Sequence, residues 1–253
     1  MSSLKITGLQ YDIVWKDKKQ NFVHIEKMLA SEVADLFLLP EMFPTGFCMD
    51  VEEIADAEGE VLEWMKSFAA TKSSAVAGSV SVMEEGNFYN RFYFVEPSGV
   101  VHFYDKRHLF SYSGEDKVYT PGSERVIVEY KEVRILLQVC YDLRFPVFSR
   151  NIGDYDLVLY VANWPVQRIE AWNALLKARA IENQAYVFGL NRTGKDGNGL
   201  VYDESSECYF PDGSRVSISA EHLVKADVSM ESLMEFRRRF RFLDDADDFR
   251  LMV

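Results

Sequence analysis

Apolar residues follow two spacings along this chain, one typical of buried strands and the other of amphipathic helices. Nearly uninterrupted apolar runs predict strands over residues 4–10, 35–39, 133–139, 156–162 and 185–191. Apolar positions three and four apart predict helices over 17–32, 61–71 and 167–184. A hairpin is predicted from segments 74–82 and 87–96, which flank a polar turn, with a further strand over 100–104. Strands alternating with helices and interrupted by a hairpin indicate an α/β fold with mixed sheets.

The length and composition predict one globular domain over residues 1–253. An apolar fraction of 48% is enough for a packed core, and neither a repeat nor a low-complexity linker divides the chain. The segment 237–248, with arginines followed by aspartates, is a charged tail for which the pattern predicts no definite structure.

Charge and cysteine content narrow the possible partners and the compartment. The 28 Lys and Arg against 40 Asp and Glu give a net charge of −12, which disfavours nucleic acid and anionic membranes and leaves a small molecule as the expected partner. No signal peptide or long apolar span is evident, and the three cysteines form no CxxC pair, so we expect a cytoplasmic protein. No histidine pair has metal-ligand spacing, so neither a metal nor a cofactor is expected.

Chemically useful residues follow four of the predicted strands. Glu41 comes after 35–39, Cys140 after 133–139, Asn163 and Trp164 after 156–162, and Lys106 after 100–104. Because α/β sheets place their sites beyond the carboxyl ends of strands, these side chains are expected to share one crevice.

Cys140 has two interpretations, a buried small side chain or a nucleophile. The polar residues after it and the Phe145-Pro146 pair predict a sharp turn into a helix, whose dipole would favour the thiolate. Such a turn would also offer the backbone N–H of Tyr141 to an oxyanion.

The sequence offers two kinds of side chain that could accept the proton of this thiol. A histidine would have to be His102 or His108, and the alternative base is Glu41, which is otherwise a surface residue. Lys106 is either a solvated loop residue or a cation that stabilises a negatively charged intermediate.

Three segments together resemble the signatures of the nitrilase superfamily of carbon–nitrogen hydrolases: Pro40-Glu41, YDKRHLF at 104–110 and CYDLRFP at 140–146. The resemblance covers nearly the whole chain. It implies a four-layer α-β-β-α sandwich that dimerises, with Cys140 as nucleophile, Glu41 as general base and Lys106 as oxyanion stabiliser.

The same resemblance implies supporting residues. A second glutamate after the lysine corresponds best to Glu115, although Asp116 lies beside it. Asn163 and Trp164 match the segment beside the substrate, and segment 178–183 matches a helix in which we expect a structural Arg-Glu anchor.

Segments 40–47, 106–110 and 244–249 resemble the ω-amidase branch, whose members hydrolyse the terminal amide of 2-oxoglutaramate or succinamate. The alternatives are a nitrilase or N-carbamoyl amide hydrolase with the same three residues, or a non-catalytic interaction module. The second alternative would need a lost catalytic residue, and none is lost.

A substrate carboxylate needs a cation in a protein of this net charge. Arg107, His108 and Arg144 are the candidates close in sequence to the catalytic positions, and arginine suits a carboxylate because its planar fork binds both oxygens. Aromatic residues, among them Phe43 and Trp164, are candidates for the walls of a narrow pocket.

Overall fold

A computed structural model describes residues 3–250. The strands are β1 Ser3–Leu9, β2 Leu36–Leu38, β3 Ala75–Glu84, β4 Asn87–Val95, β5 Val101–Asp105, β6 Ile127–Tyr130, β7 Val133–Val139, β8 Leu157–Ala162, β9 Tyr186–Asn191, β10 Gly194–Lys195, β11 Val201–Tyr202, β12 Glu207–Tyr209, β13 Ile218–Ala220 and β14 Leu223–Ser229. The α-helices are α1 Lys18–Met28, α2 Val51–Ile54, α3 Glu60–Lys72, α4 Ile169–Asn183 and α5 Met230–Arg239. None of the helices in this described part is long and apolar enough to cross a bilayer.

Two mixed sheets form the centre of the molecule. The larger has the order β13-β14-β1-β2-β3-β4-β5, with β1, β2 and β3 parallel. The smaller has the order β12-β9-β8-β7-β6, with β7, β8 and β9 parallel. A separate two-stranded ribbon pairs β10 with β11.

The layers follow from three apolar clusters. One lies between the sheets, where β1 and β2 contribute Leu4, Ile6 and Leu38 and the smaller sheet contributes Leu137 and Leu159. A second packs α1 and α3 on the outer face of the larger sheet. A third packs α4 on the outer face of the smaller sheet. The resulting α-β-β-α order is the four-layer sandwich that the resemblance implied.

Most predicted elements are present within two or three residues of their expected bounds. One expectation is corrected. No α-helix begins at Phe145-Pro146, because Cys140–Arg144 form a short 3₁₀ turn that ends at Phe145. The charged tail, for which no structure was predicted, starts in the last turn of α5 and continues into a 3₁₀ turn at Phe242–Asp245. β6, α2 and the short strands from β10 onward had no clear sequence signal.

Candidate active site

The loop after β2 places Glu41 in the interior. Its backbone is held against β3 by Leu39 N–H, which donates to Ala77 O at 2.8 Å, and by Met42 N–H, which donates to Ser79 Oγ at 2.9 Å. A Cβ at Gly78 would lie 2.9 Å from Leu39 Cβ and 3.1 Å from its carbonyl oxygen. Glycine at this position therefore lets the loop lie directly on the strand.

The Glu41 carboxylate is completely buried and bonded through both oxygens. Oε1 accepts from Lys106 Nζ at 3.0 Å and from Asn90 Nδ2 at 2.8 Å. Oε2 accepts from the backbone N–H of Asn163 at 2.9 Å, while Asn163 Nδ2 donates to the Glu41 carbonyl at 2.7 Å. These bonds, from the ends of β5 and β8 and from within β4, fix the orientation of the carboxylate.

Lys106 lies between two buried carboxylates. Its ammonium group donates to Glu115 at 2.8 Å and to Glu41 at 3.0 Å. Burial disfavours the charged amine, but the two carboxylates outweigh that effect and hold the pKa of Lys106 above its usual value. Burial also raises the pKa of Glu115, against the opposing effect of the ammonium. Asp116, the other candidate acid, is exposed, so geometry favours Glu115 as the partner of Lys106.

Cys140 lies at the sharp junction between β7 and the 3₁₀ turn. Its φ of 44° is in the left-handed region, an unusual conformation for a residue with a side chain. Burial, together with the neighbouring Glu41 carboxylate, raises the pKa of the Cys140 thiol well above its ordinary value. The helix dipole that was expected to favour the thiolate is absent, and burial favours the protonated thiol. Tyr141 is the next residue, in the part of a 3₁₀ turn whose N–H groups have no partner within the turn.

Asp142 holds the turn in this shape. Its buried carboxylate accepts from the Val139 backbone N–H at 2.9 Å, from Tyr104 Oη at 2.8 Å and from the His108 backbone N–H at 3.0 Å. The His108 ring, at 2.8 Å from the same carboxylate, stacks on Phe145. The nucleophile turn and the lysine loop are thereby joined.

Helix α4 supports the turn from the other side. Arg179 donates to the Leu143 carbonyl at 2.7 Å and forms an ion pair with Glu182 at 2.7 Å. This is the structural Arg-Glu anchor expected for segment 178–183.

Glu41, Lys106 and Cys140 line a cavity of about 510 Å³. Polar and aromatic residues form its walls: Trp15, Phe47, Asp50, Phe110, Tyr141, Arg144, Asn163, Trp164, Arg168, Asp196 and Tyr202. Arg144 lies over the Trp164 ring at 4.8 Å from the ring centroid, and Arg168 over Phe110 at 5.2 Å. Across residues 3–250, no group of three or more His, Cys, Asp or Glu side chains is arranged to hold a metal ion.

Two of the expected substrate-binding residues do not line this cavity. Phe43 is fully buried, and its ring packs against Trp64 beneath the Glu41 loop. His108 is held by Asp142 and Phe145, as described above. The other histidine considered as a base for Cys140, His102, pairs with Glu96 at 3.0 Å and is also absent from the cavity wall. Glu41 is therefore the base that the geometry supports.

Sequence reasoning missed Asn90 and Arg168. Asn90 Nδ2 lies within hydrogen-bond distance of both Glu41 and Glu115. A polar residue at a buried position in the apolar run of β4 was the available signal. Arg168 was counted as part of a helix that in fact begins one residue later.

Comparisons with known proteins identify the family of this chain. The family model described as carbon–nitrogen hydrolase matches residues 5–238. The chain belongs to the carbon–nitrogen hydrolase family. It is 49% identical to the Omega-amidase YafV of Escherichia coli K12, over 99% of this chain and 100% of that protein. It is 31% identical to the 2-oxoglutaramate amidase of Bacillus subtilis 168, over 95% and 96% of the two chains.

A solved structure gives the same result for the fold of this carbon–nitrogen hydrolase. The CN-hydrolase superfamily protein of Xanthomonas campestris, crystallised with an arsenic adduct in its active site, is 40% identical and superimposes with a TM-score of 0.96 over the whole of both chains. The expected membership of the nitrilase superfamily, on its ω-amidase branch, is confirmed by these matches, and so is the expected sandwich fold.

Proposed function

We propose that this carbon–nitrogen hydrolase cleaves the terminal amide of a small dicarboxylate monoamide, of the 2-oxoglutaramate or succinamate type, to the acid and ammonia. The names of its relatives, an Omega-amidase and a 2-oxoglutaramate amidase, support this substrate class. The observation that carries the proposal is one cavity that combines a thiol, a buried carboxylate and ammonium pair, and arginines on its wall.

The proposed reaction has two acyl-transfer steps. Glu41 accepts the thiol proton while Cys140 attacks the amide carbon, and Lys106 with the Tyr141 N–H stabilises the negative oxygen. Collapse of this intermediate breaks the carbon–nitrogen bond, and the proton on Glu41 passes to the leaving nitrogen to give ammonia. Water then attacks the thioester, with its proton accepted by Glu41, and the acid is released with the thiol restored.

Glu115 and Asn90 are proposed to support this chemistry without touching the substrate. Glu115 supplies a second carboxylate to Lys106, so that the lysine stays charged while Glu41 cycles between its protonated and ionised forms. Asn163 and Trp164 are proposed to bound the substrate, and Arg144 to bind its distal carboxylate.

The test measures ammonia release by purified protein from 2-oxoglutaramate, succinamate, butyramide, an aliphatic nitrile and an N-carbamoyl amino acid. We expect the two carboxylate-bearing amides to be preferred, and Cys140→Ala to be inactive and folded. Mass spectrometry of enzyme quenched during turnover should show an acyl adduct on Cys140. Preference for the nitrile or the carbamoyl compound, or an adduct on Cys48 or Cys208, would contradict the proposal.

We also propose that residues 1–253 form one catalytic domain that acts as a cytoplasmic homodimer. The family resemblance supports the dimer, as do three exposed apolar residues, Val147, Ile152 and Ile181. These lie on adjoining segments, because the Asn151 backbone N–H donates to Asn183 Oδ1 at the end of α4. Light scattering at micromolar protein should give twice the chain mass, and cell fractionation should recover the activity with cytoplasmic markers.

A further inference from the structure

Two cationic side chains on the cavity wall have no partner for their charge. Neither Arg144 nor Arg168 makes an ion pair or a side-chain hydrogen bond with any residue between 3 and 250, and both are half-buried. The other cation on the wall, Lys106, is occupied by Glu41 and Glu115. A guanidinium held out of bulk water without a carboxylate is available to a bound anion.

The acidic residues of the wall are already satisfied. Asp50 forms an ion pair with Lys16 at 2.6 Å. Asp196 accepts from Tyr202 Oη at 2.8 Å and from the backbone N–H groups of Asn198 and Leu200, each at 2.9 Å. The two arginines therefore remain as the groups suited to a negatively charged ligand.

Both arginines are attached to one aromatic residue, Trp164. Arg144 lies over the face of its ring, while the indole Nε1–H donates to the Arg168 carbonyl at 2.8 Å. The Arg168 N–H also donates to Pro165 O at 3.0 Å, so its backbone is fixed beside the Asn163 segment.

The ring beneath the Arg168 guanidinium is fixed as well. The backbone N–H of Phe110 donates to Glu115, the carboxylate that binds Lys106. The position of Arg168 is thereby tied to the catalytic centre through a short chain of contacts.

We infer that Arg168 is a specificity-determining residue that binds the acid end of the substrate jointly with Arg144. The inference rests on the proposed function and deepens it, because it assigns two guanidinium groups to the acid end. A simple carboxylate has two oxygens, which one guanidinium fork can bind. A carboxylate with an adjacent oxo group adds a third acceptor oxygen. The pair of arginines therefore favours a 2-oxo acid over a simple acid of the same length.

The experiment compares three amides with the same number of carbons: 2-oxoglutaramate, glutaramate, which lacks the oxo group, and pentanamide, which lacks both acid and oxo groups. kcat/KM is measured for the wild type, Arg168→Gln, Arg168→Lys and Arg144→Gln. Arg215→Gln is the matched control, since it removes one positive charge at an exposed ion pair with Glu207 that is absent from the cavity wall.

Arg168→Gln should lower kcat/KM for 2-oxoglutaramate by roughly 10- to 150-fold, as for loss of a charge-assisted contact, and should lower kcat/KM for pentanamide far less. The loss should be smaller for glutaramate, and Arg168→Lys should recover part of it. Arg215→Gln should behave as the wild type on all three amides.

The experiment distinguishes failure of the proposed function from failure of the inference on Arg168. If the wild type hydrolyses 2-oxoglutaramate no better than pentanamide, the proposed function itself is overturned. If the wild type prefers 2-oxoglutaramate and Arg168→Gln keeps that preference, or loses activity equally on all three amides, the inference on Arg168 is overturned and the proposed function stands.

Discussion

In the proposed mechanism the nucleophile, Cys140, and its base, Glu41, depend on each other. Cys140 has a strained backbone and a thiol whose pKa is raised by burial and by the Glu41 carboxylate. That carboxylate lies in a ring of fixed donors from Lys106, Asn90 and Asn163. In the proposed mechanism the thiolate therefore forms by proton transfer to Glu41 during the attack on the amide.

Replacement of Glu41 by Gln keeps the shape of the side chain and removes its ability to accept the thiol proton. We expect kcat/KM to fall by roughly 10²–10⁴-fold, the usual range for loss of a general base, or further if both steps depend on it. His102→Gln is the comparison, because His102 pairs with Glu96 away from the cavity wall. Near-normal activity of Glu41→Gln with an inactive His102→Gln would restore the Cys-His mechanism.

The raised pKa of the Cys140 thiol leads to a second prediction, which concerns the rate of its alkylation by iodoacetamide. Because the folded pKa of Cys140 is raised, the thiolate fraction should be small at neutral pH and keep growing as the pH rises past the ordinary thiol value of about 8.5. The rate of Cys140 modification, followed by mass spectrometry of the peptide, should rise throughout that range. A plateau already reached below pH 7 would show a stored thiolate and contradict this account.

The difference between the residues that were predictable and those that were not is physical. Glu41, Lys106 and Cys140 each come after a predicted strand, which marks them as candidates, and the family resemblance then implied their roles. Asn90 acts from within a strand, and its partners Glu41 and Glu115 are 49 and 25 residues away in the chain. Contacts of that kind depend on tertiary packing, which no local pattern contains.

At the scale of elements, one arginine makes three polar contacts that attach α5 to the segments before β8 and after α4. Arg237 donates to Asp156 at 2.7 Å, to the Tyr155 carbonyl at 2.8 Å and to the Gln184 carbonyl at 2.8 Å. Leu233 is its one fully buried apolar residue. The helix was hard to predict because many of its contacts are polar and its run of periodic apolar residues is short.

Arg237→Ala should therefore destabilise the protein by about 2–3 kcal/mol, somewhat below the cost of breaking a fully buried pair, because Asp156 keeps Arg134 as a partner. Arg238→Ala is the matched control, since its side chain is bonded to the Met234 carbonyl of its own helix. Urea unfolding should separate the two variants clearly. Equal stabilities would mean that α5 is held by other contacts.

At the scale of the whole molecule, buried carboxylates make the free energy of unfolding depend on pH. Burial opposes ionisation of Asp156, but Arg134 and Arg237 outweigh it and hold its pKa below the ordinary value. A lowered pKa gives stability that is fully present above the unfolded value of about 3.9 and is lost as the pH falls through the folded value.

The free energy of unfolding should consequently decline as the pH is lowered through that window, and Asp156→Asn should make the decline shallower. The variant will be less stable at neutral pH, so the informative quantity is the slope against pH, measured by urea unfolding at several pH values. An unchanged slope in Asp156→Asn would show that other carboxylates, such as Asp35 beside Lys131, account for the acid sensitivity.

The order of the strands within the two sheets was the feature least predictable from the sequence. The patterns indicated layered strands and helices, but they contain no information on which strands pair. β14 lies beside β1 although more than two hundred residues separate them, with Leu4 opposite Val228 and Ile6 opposite Ala226. The four-layer arrangement came from family resemblance, not from the spacing of apolar residues.

The pairing of β1 with β14 has a consequence for synthesis on the ribosome. β14 follows β1 by more than two hundred residues, so a nascent chain carries all of Glu41, Lys106 and Cys140 while one edge of β1 still has no strand beside it. During that interval the backbone N–H and C=O groups of an apolar strand are open to pairing with other chains. Slow translation of the segment that contains β13 and β14 should therefore lower the yield of soluble enzyme more than an equal delay in the segment that contains β1.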